Sequence, residues 1–149
     1  MNYNHIGCEY LVGAVKTDTR KYIVKRIVEK IKELNLDFDA IAFRGMSGAI
    51  IAPIVANELN KDLLMVRKSD GNHSGFELEG NRNSQNYIII DDLIATGKTI
   101  NSILSVVKNR TSSNCLGIFL YAAGSDFAVN KTFATCTLPV WHLFCYDME

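Results

Sequence analysis

One segment constrains the fold of this chain more than any other. Tyr87–Ile90 is an uninterrupted apolar run that ends directly on two acids. A short, continuous, β-branched run is typical of a strand that is covered on both faces, as in a parallel sheet. The turn that follows, Asp91–Lys98, leads into Thr99–Lys108, where apolar residues recur at helical spacing. This order of strand, turn and helix predicts an α/β structure.

The remainder of the chain continues the alternation. Helical spacing predicts helices at Thr17–Leu34 and Ala49–Asn60, and short apolar runs predict strands at Ala40–Phe43, Leu63–Arg67, Cys115–Tyr121 and Val140–Tyr146. Strands that alternate with helices predict a mainly parallel, twisted sheet flanked by helices. The polar segment Lys68–Asn86 is predicted to be a long loop with a weak hairpin around Phe76. A length of 149 residues suits a single domain over residues 1–149.

Three distinctive loops follow predicted strands: Arg44–Gly48, Lys68–Asn86 and Asp91–Thr99. In open parallel sheets, ligands bind in the crevice beyond the carboxyl ends of the strands. The sequence therefore predicts one ligand crevice that all three loops line.

Composition excludes several classes of protein. The chain has 16 Lys and Arg against 16 Asp and Glu, and 48% of its residues are hydrophobic. A core of this size argues against disorder, and a formal net charge of zero argues against a nucleic-acid partner held by a basic surface. The most apolar window, Ala49–Ala56, is too short to span a bilayer and contains Pro53. We expect no membrane partner.

The N-terminus has no basic start followed by an apolar stretch, so a secretory signal is not expected. Four cysteines, Cys8, Cys115, Cys136 and Cys145, form no C-x-x-C pair, which is typical of free thiols in a reducing compartment. We expect a cytoplasmic protein.

The turn after Tyr87–Ile90 carries the chemistry. Ala95–Thr99 places successive amides and two threonine hydroxyls at a helix N-terminus, where the helix dipole favours a phosphate. The end of this turn is like that of a P-loop, but a P-loop requires glycine where Asp92 stands. We therefore reject a P-loop. Asp91 and Asp92 suit sugar hydroxyls or Mg²⁺ instead, so the segment indicates a sugar phosphate as ligand.

The segment Tyr87–Ile100 resembles the phosphoribosyl pyrophosphate (PRPP) signature of type I phosphoribosyltransferases. Asp39–Pro53 resembles the pyrophosphate-binding loop of that family with the helix after it, and Asn57–Lys68 resembles the next helix end and strand. The resemblance covers residues 36–147 and is closest to the adenine phosphoribosyltransferase branch. It implies the type I fold, with a flexible lid loop and a small hood, and a homodimer.

The resemblance also implies an activity: a Mg²⁺-dependent transfer of the phosphoribosyl group from PRPP to a nucleobase, with release of pyrophosphate. Asp91 and Asp92 would contact the ribose hydroxyls and the metal, directly or through water, and would stabilise positive charge on the sugar. The 5′-phosphate would be held by Ala95, Thr96, Gly97, Lys98 and Thr99. The pyrophosphate would be held by Arg44, Gly45, Arg67 and Lys68, with a non-proline cis peptide just before Arg44.

The segment Lys68–Asn86 stands where the family has its lid. Glu79 is the predicted proton donor to the base, with Glu77 as the positional alternative and His73 as a second candidate. Leu93 and Ile94 are predicted to pack against the base, and Trp141 either stacks there or packs in the core. The 6-oxopurine enzymes usually carry an aspartate at the position of Ala95, so its absence favours adenine.

Two other functions remain open at this stage. This chain has Ala42-Phe43 where related enzymes have a polar pair, and its lid is short. Both features are compatible with a non-catalytic regulator that senses PRPP or a nucleotide on the same fold. The third possibility is a phosphoribosyltransferase for another nucleobase, such as orotate or uracil.

Overall fold

The computed structural model describes residues 6–7, 11–68, 75–122 and 137–143. These residues form four helices and six strands. In chain order they are α1 (Val12–Val15), α2 (Thr17–Leu34), β1 (Ala40–Phe43), α3 (Met46–Leu59), β2 (Asp62–Val66), β3 (Leu78–Gly80), β4 (Asn86–Asp91), α4 (Lys98–Arg110), β5 (Asn114–Leu120) and β6 (Val140–His142).

The six strands form one sheet in the order β3-β2-β1-β4-β5-β6. All neighbouring strands are parallel except β2 and β3, which pair antiparallel, with Met65 opposite Glu79. The central strand β1 is buried along its whole length, as is β4 from Tyr87 onward, because helices cover both faces of the sheet. The predicted fold class, a mainly parallel sheet flanked by helices, is confirmed.

The strand order places a topological switch point at the centre of the sheet. From β1 the chain moves outward to β2 on one side, and it later returns to place β4 on the other side. The loops that leave β1 and β4 therefore diverge, and they leave a crevice between them at the carboxyl edge of the sheet. This crevice is the one that the three loops were predicted to line.

Each face of the sheet has its own hydrophobic core. On one face, α2 and α3 pack against the sheet, with the amphipathic stripe Ile23, Ile27 and Ile31 fully buried. On the other face, α4 contributes Ile100, Ile103 and Val107 at helical spacing. The apolar periodicity that predicted these helices is therefore the periodicity of their buried faces.

Helix α2 has the predicted bounds and ends at Asn35, which takes the left-handed conformation that stops a helix. Helix α3 begins three residues before its predicted start. Gly45, with a φ of 82°, turns the chain sharply enough for the helix to begin at Met46. Helix α1 was not predicted, since a single turn carries too little periodicity.

The predicted loop Lys68–Asn86 contains the short strand β3, which extends the sheet as an edge. The tip of this predicted lid, residues 69–74, lies outside the described residues and includes His73. So do Cys8, Cys136 and Cys145. Of the strand predicted at Val140–Tyr146, residues 140–142 are confirmed as β6 and residues 144–146 lie outside the described ones.

No helix in the described residues is long and apolar enough to cross a membrane. The cis peptide predicted before Arg44 is absent, since every peptide bond that the structure describes is trans. The abrupt change of direction after β1 is made at Gly45 instead, where the φ is positive.

Candidate ligand cleft

A cleft of about 270 Å³ lies at the switch point, beyond the carboxyl ends of β1 and β4. Two turns form its walls, one leading into α3 and the other leading into α4. The lining residues are Arg44, Gly45, Met46, Ser47, Lys68, Asp91, Asp92, Leu93, Ile94, Ala95, Thr96, Gly97, Thr99 and Ile100. Most of the sequence-predicted site residues are therefore brought together in one place.

The acid pair forms the floor of the cleft at the end of β4. Asp91 is only 4% exposed, and its Oδ1 accepts hydrogen bonds from the Ser47 hydroxyl at 2.8 Å and from the Asp92 amide at 2.9 Å. The Oδ1 of Asp92 accepts from the Leu93 amide at 2.8 Å. The two carboxylates also interact with each other, and a hydrogen bond between them contributes to the raised pKa of Asp91. Both acids line the cleft, where a ligand can reach them.

Burial raises the pKa of Asp91 from 3.8 to about 7, and the charge of the adjacent Asp92 acts in the same direction. The hydrogen bonds from Ser47 and the Asp92 amide oppose this rise because they favour the ionised form. An added positive charge would favour ionisation as well. The cleft therefore suits a ligand that brings a cationic group or hydroxyl donors to the acid pair.

The wall on the α3 side consists of Arg44 and the turn at Gly45. The Nε of Arg44 is buried and has no hydrogen-bond partner among the described residues. Gly45 is the N-cap of α3 and supplies no side chain to cap the first amides of the helix. A buried guanidinium donor beside uncapped helix amides is a suitable environment for an anion.

The opposite wall is the turn into α4. Gly97, with a φ of 80°, is the N-cap of α4 and likewise provides no side-chain cap. Thr96 and Thr99 line the cleft, and the Thr96 hydroxyl accepts a long hydrogen bond of 3.3 Å from the Lys98 amide. The side chain of Lys98 is exposed and is not part of the lining. The turn into α4 is therefore a second environment suitable for an anion, and the acid pair lies between it and the first one at Gly45.

Lys68 and Arg67, both predicted to bind pyrophosphate, have different surroundings. Lys68 lines the cleft, and its Cε would lie 3.3 Å from a Cβ placed on Gly45. Arg67 donates through Nη1 to Oε2 of Glu79 at 2.8 Å and is not in the lining. Both residues directly follow β2, yet one side chain pairs at the sheet edge and the other lines the cleft.

The two candidate proton donors lie on the edge of the sheet, away from the lining of the cleft. Glu79 is in β3 and pairs with Arg67, whereas Glu77 accepts from Arg110, at the end of α4, at 2.9 Å. Both glutamates line a separate depression with Arg82 and Arg110. The structure therefore does not bring Glu79 or Glu77 together with the acid pair.

The candidate base contacts also differ from one another. Leu93 is half-buried in the cleft wall, whereas Ile94 is 2% exposed and packs in the core beneath α4. Trp141 packs against the other core and covers Gly117, where an added Cβ would lie 2.4 Å from the indole ring. Of the two roles predicted for Trp141, the structure shows the one in the core.

Sequence reasoning missed two residues that contact the acid pair or its neighbours. Ser47 donates to Asp91, and the hydroxyl of Tyr121 donates to the carbonyl oxygen of Ser47 at 2.6 Å. These partners are far apart in sequence, and neither residue type is distinctive in its local context. Only the sheet order reveals that they meet.

Comparison with known proteins agrees with this geometry. The family model of the phosphoribosyl transferase domain matches residues 16–131. The chain is 31% identical over 114 residues to the transcriptional regulator GfcR of Methanocaldococcus jannaschii, covering 71% of this chain and 54% of that protein. It is 32% identical over 102 residues to orotate phosphoribosyltransferase of Pyrococcus horikoshii, covering 67% and 54%.

A third curated relative, adenine phosphoribosyltransferase of Mycoplasma capricolum, is 30% identical over 132 residues, covering 78% of this chain and 72% of that protein. Among solved structures, adenine phosphoribosyltransferase of Saccharomyces cerevisiae superposes with a TM-score of 0.73 at 23% identity, covering 95% and 90% of the two chains. The chain spans only about half the length of the regulator and the orotate enzyme.

Proposed function

This chain belongs to the phosphoribosyltransferase family, and on that premise we propose that it transfers the 5-phosphoribosyl group from PRPP to a nucleobase. In this reaction the bond from ribose C1 to a pyrophosphate oxygen breaks, and a ring nitrogen of the base bonds to C1. Pyrophosphate leaves with the electron pair of the broken bond, and the proton of that nitrogen passes to water. A proton donor to the base would therefore act at another of its ring nitrogens.

The observation that carries the proposal is the order of groups across the cleft. A helix N-terminus whose N-cap is a glycine stands at each wall, at Gly45 and at Gly97, and the acid pair lies between them. A ligand that fits this order has phosphate at both ends and hydroxyl groups in the middle. PRPP has that arrangement, with a 5′-phosphate, a ribose and a pyrophosphate.

On this proposal, the turn at residues 95–99 binds the 5′-phosphate through its amides and the hydroxyls of Thr96 and Thr99. Arg44, Gly45 and Lys68 bind the pyrophosphate, and the Nε of Arg44, which has no partner among the described residues, provides a donor for it. Arg67 would join them only after it leaves Glu79. Charge-assisted hydrogen bonds of this kind are roughly twice as strong as neutral ones.

Asp91 and Asp92, which line the cleft, bind the ribose hydroxyls and stabilise the positive charge that grows on the sugar as pyrophosphate leaves. Fixed groups aimed at developing charge need no reorganisation during the reaction. The buried hydrogen bonds of Asp91 keep its carboxylate in place before the substrate arrives.

The acid pair also fits Mg²⁺. No cluster of three or more His, Cys, Asp or Glu side chains in the described residues could hold a metal alone. Mg²⁺ usually binds to one or two carboxylates together with substrate phosphates and water. Asp91 and Asp92 would hold such an ion, directly or through water, and the ion would neutralise charge on the pyrophosphate.

We favour adenine as the base. Among the described residues, only Arg44 and Lys68 bring positive charge to the cleft lining, and both are assigned to pyrophosphate. Orotate carries a carboxylate and would require a further cation, whereas adenine is neutral and suits the apolar side chain of Leu93. The adenine phosphoribosyltransferase relative also matches over 72% of its own length.

The proton donor to the base has the least geometric support. Glu79, the predicted donor, is paired with Arg67 at the edge of the sheet. It would reach a base in the cleft only after that ion pair breaks, and the same is true of Glu77 and its pair with Arg110. The homodimer and the cytoplasmic location remain predictions from the sequence.

A non-catalytic regulator is the second candidate function, and the relative that is a transcriptional regulator favours it. One experiment separates the two functions: incubation with PRPP, Mg²⁺ and each base of a panel that includes adenine, hypoxanthine, guanine, xanthine, uracil and orotate. We expect pyrophosphate and adenosine monophosphate to form with adenine. PRPP binding without turnover of any base would contradict the proposed activity and support the regulator.

A further inference from the structure

We propose that Ser47 and Tyr121 are positioning residues that hold Asp91 in one orientation relative to the turn at Gly45. The inference rests on the proposed function and deepens it, because it assigns the support of the acid pair to two residues that have no role in the sequence-based prediction. Neither residue needs to touch the reacting atoms.

Three contacts connect three elements of the fold. The Ser47 hydroxyl, in the first turn of α3, donates to Oδ1 of Asp91 at the end of β4. The hydroxyl of Tyr121, just after β5, donates to the carbonyl oxygen of Ser47 at 2.6 Å. The amide of Tyr121 donates to the carbonyl oxygen of Asp91 at 3.1 Å. The contacts form a closed loop from Asp91 through Ser47 and Tyr121 back to Asp91.

Two of these three residues are buried. Tyr121 is 1% exposed and Asp91 is 4% exposed, whereas Ser47 is half-buried and lines the cleft. Hydrogen bonds within a buried network fix its members, and a missing partner leaves a costly unpaired group.

The first turn of α3 is also held from the opposite side. Gly48 packs so closely on β1 that an added Cβ would lie 2.7 Å from the Cβ of Phe43. The backbone around Ser47 is thus fixed between Phe43 on one side and the Tyr121 hydroxyl on the other. Ser47 therefore presents its hydroxyl to Asp91 from a stationary position.

This support determines how the carboxylate of Asp91 is oriented. Two donors, the Ser47 hydroxyl and the Asp92 amide, hold Oδ1, and the carboxylate is planar, so Oδ2 has one direction. Without Ser47, the carboxylate is held only by residue 92, its neighbour in the chain, and it can rotate. A misplacement of about 1 Å in a catalytic group can cost on the order of 10²-fold in rate.

The experiment compares Ser47→Ala, Ser47→Thr and Tyr121→Phe in the full chain, with Ser105→Ala as a matched control on the exposed side of α4. We measure kcat, KM for PRPP, and the Kd for PRPP in the presence of Mg²⁺ by calorimetry. Ser47→Ala should lower kcat by about 10-fold with KM changed by less than about 3-fold, because one of the two donors remains. Ser47→Thr should keep kcat near the wild-type value, because threonine retains the hydroxyl. Tyr121→Phe should lower kcat by about 3-fold.

A double-mutant cycle distinguishes positioning from a general structural role. If Ser47 acts through Asp91, Ser47→Ala should have no further effect in the Asp91→Ala background, which has no side-chain oxygen to accept from Ser47. A double variant that shows the full product of both single losses would overturn the proposal. So would a Ser47→Thr variant as impaired as Ser47→Ala, or a Ser47→Ala variant equal to the Ser105→Ala control.

The same cycle separates a failure of this inference from a failure of the proposed function. If the wild-type chain binds PRPP but transfers the phosphoribosyl group to no base, the proposed activity is contradicted. The double-mutant cycle is then measured on the Kd for PRPP, and its result decides the role of Ser47. If the wild-type chain does not bind PRPP with Mg²⁺ at all, both proposals are overturned.

Discussion

The cleft at the switch point and the sheet edge at β3 both contain residues predicted to take part in the reaction, yet they are built differently. In the cleft, Asp91 is buried and is held by donors from α3 and from its own turn. At the edge, Glu79 and Glu77 have side chains 41% and 59% exposed, each in an ion pair. Exposed pairs contribute only about 0–1 kcal/mol. The cleft is therefore preorganised, whereas the edge can rearrange at little cost.

The largest effect should come from the preorganised region. Asp91→Asn removes a charge aimed at the developing cation, and loss of one such electrostatic group typically costs about 10²–10³-fold in kcat. Steady-state pyrophosphate release measures this loss, and circular dichroism shows whether the variant is folded. A folded variant within about 5-fold of the wild-type kcat would show that Asp91 does not stabilise the transition state.

The next largest effect should come from the wall of the cleft at the turn into α4. Thr99→Val removes a hydroxyl from the lining, and a hydrogen bond to a charged phosphate is worth about 1.5–3 kcal/mol, so KM for PRPP should rise at least about 10-fold. Lys98→Ala should raise KM by less than about 2-fold, because that side chain lies outside the lining. Equal effects of the two variants would show that Lys98 reaches the phosphate.

A third effect is the pH dependence of the stability of the fold that burial of Asp91 produces. Its pKa is raised from 3.8 to about 7 in the folded state, so between these values the folded protein retains a proton that the unfolded chain has released. The stabilisation from this group is complete below pH 3.8 and is lost as the pH rises through about 7. Without ligand or Mg²⁺, we expect Tm to fall by roughly 5 °C from pH 5 to pH 8 on this account.

The control for this measurement is Asp91→Asn, which carries no titrating carboxyl at that position. The difference in Tm between the two proteins isolates the contribution of Asp91 from that of other groups. A wild-type pH dependence that runs parallel to that of Asp91→Asn would contradict the raised pKa.

The smallest effect belongs to the sheet edge. Because Glu79 pairs with Arg67 outside the cleft, we expect Glu79→Gln to change kcat by less than about 3-fold, and Glu77→Gln likewise. The double variant tests whether one glutamate replaces the other. A loss of about 10²–10⁴-fold, the range for a general acid, would assign proton transfer to this edge and show that β3 moves during the reaction.

The same contrast explains how much could be predicted from the sequence. Helix α2 was predicted with its observed bounds, since its apolar stripe and its stop at Asn35 are both local signals. The acid pair and the turn into α4 were predicted because strand, turn and helix are contiguous there. Local order along the chain was sufficient wherever the site is made from one continuous segment.

Where the structure depends on distant partners, prediction from sequence failed or was incomplete. Strand β3 was anticipated only as a weak hairpin around Phe76, because its own three residues include two with polar or small side chains and its formation depends on pairing with β2. Ser47 and Tyr121 meet only because β1, β4 and β5 are adjacent. The ion pair of Glu79 with Arg67 could not be inferred either, since it depends on the register in which β3 pairs with β2.

The central position of β1 has a consequence for how the protein folds. Both neighbours of this strand are parallel to it, so neither can be reached by a tight hairpin, and each pairing requires a long loop to close first. The cleft forms only where β1 and β4 end side by side. Helices α2 and α4 can form early from local contacts, but the binding site is complete only after the slowest, most distant pairing in the sheet has been made.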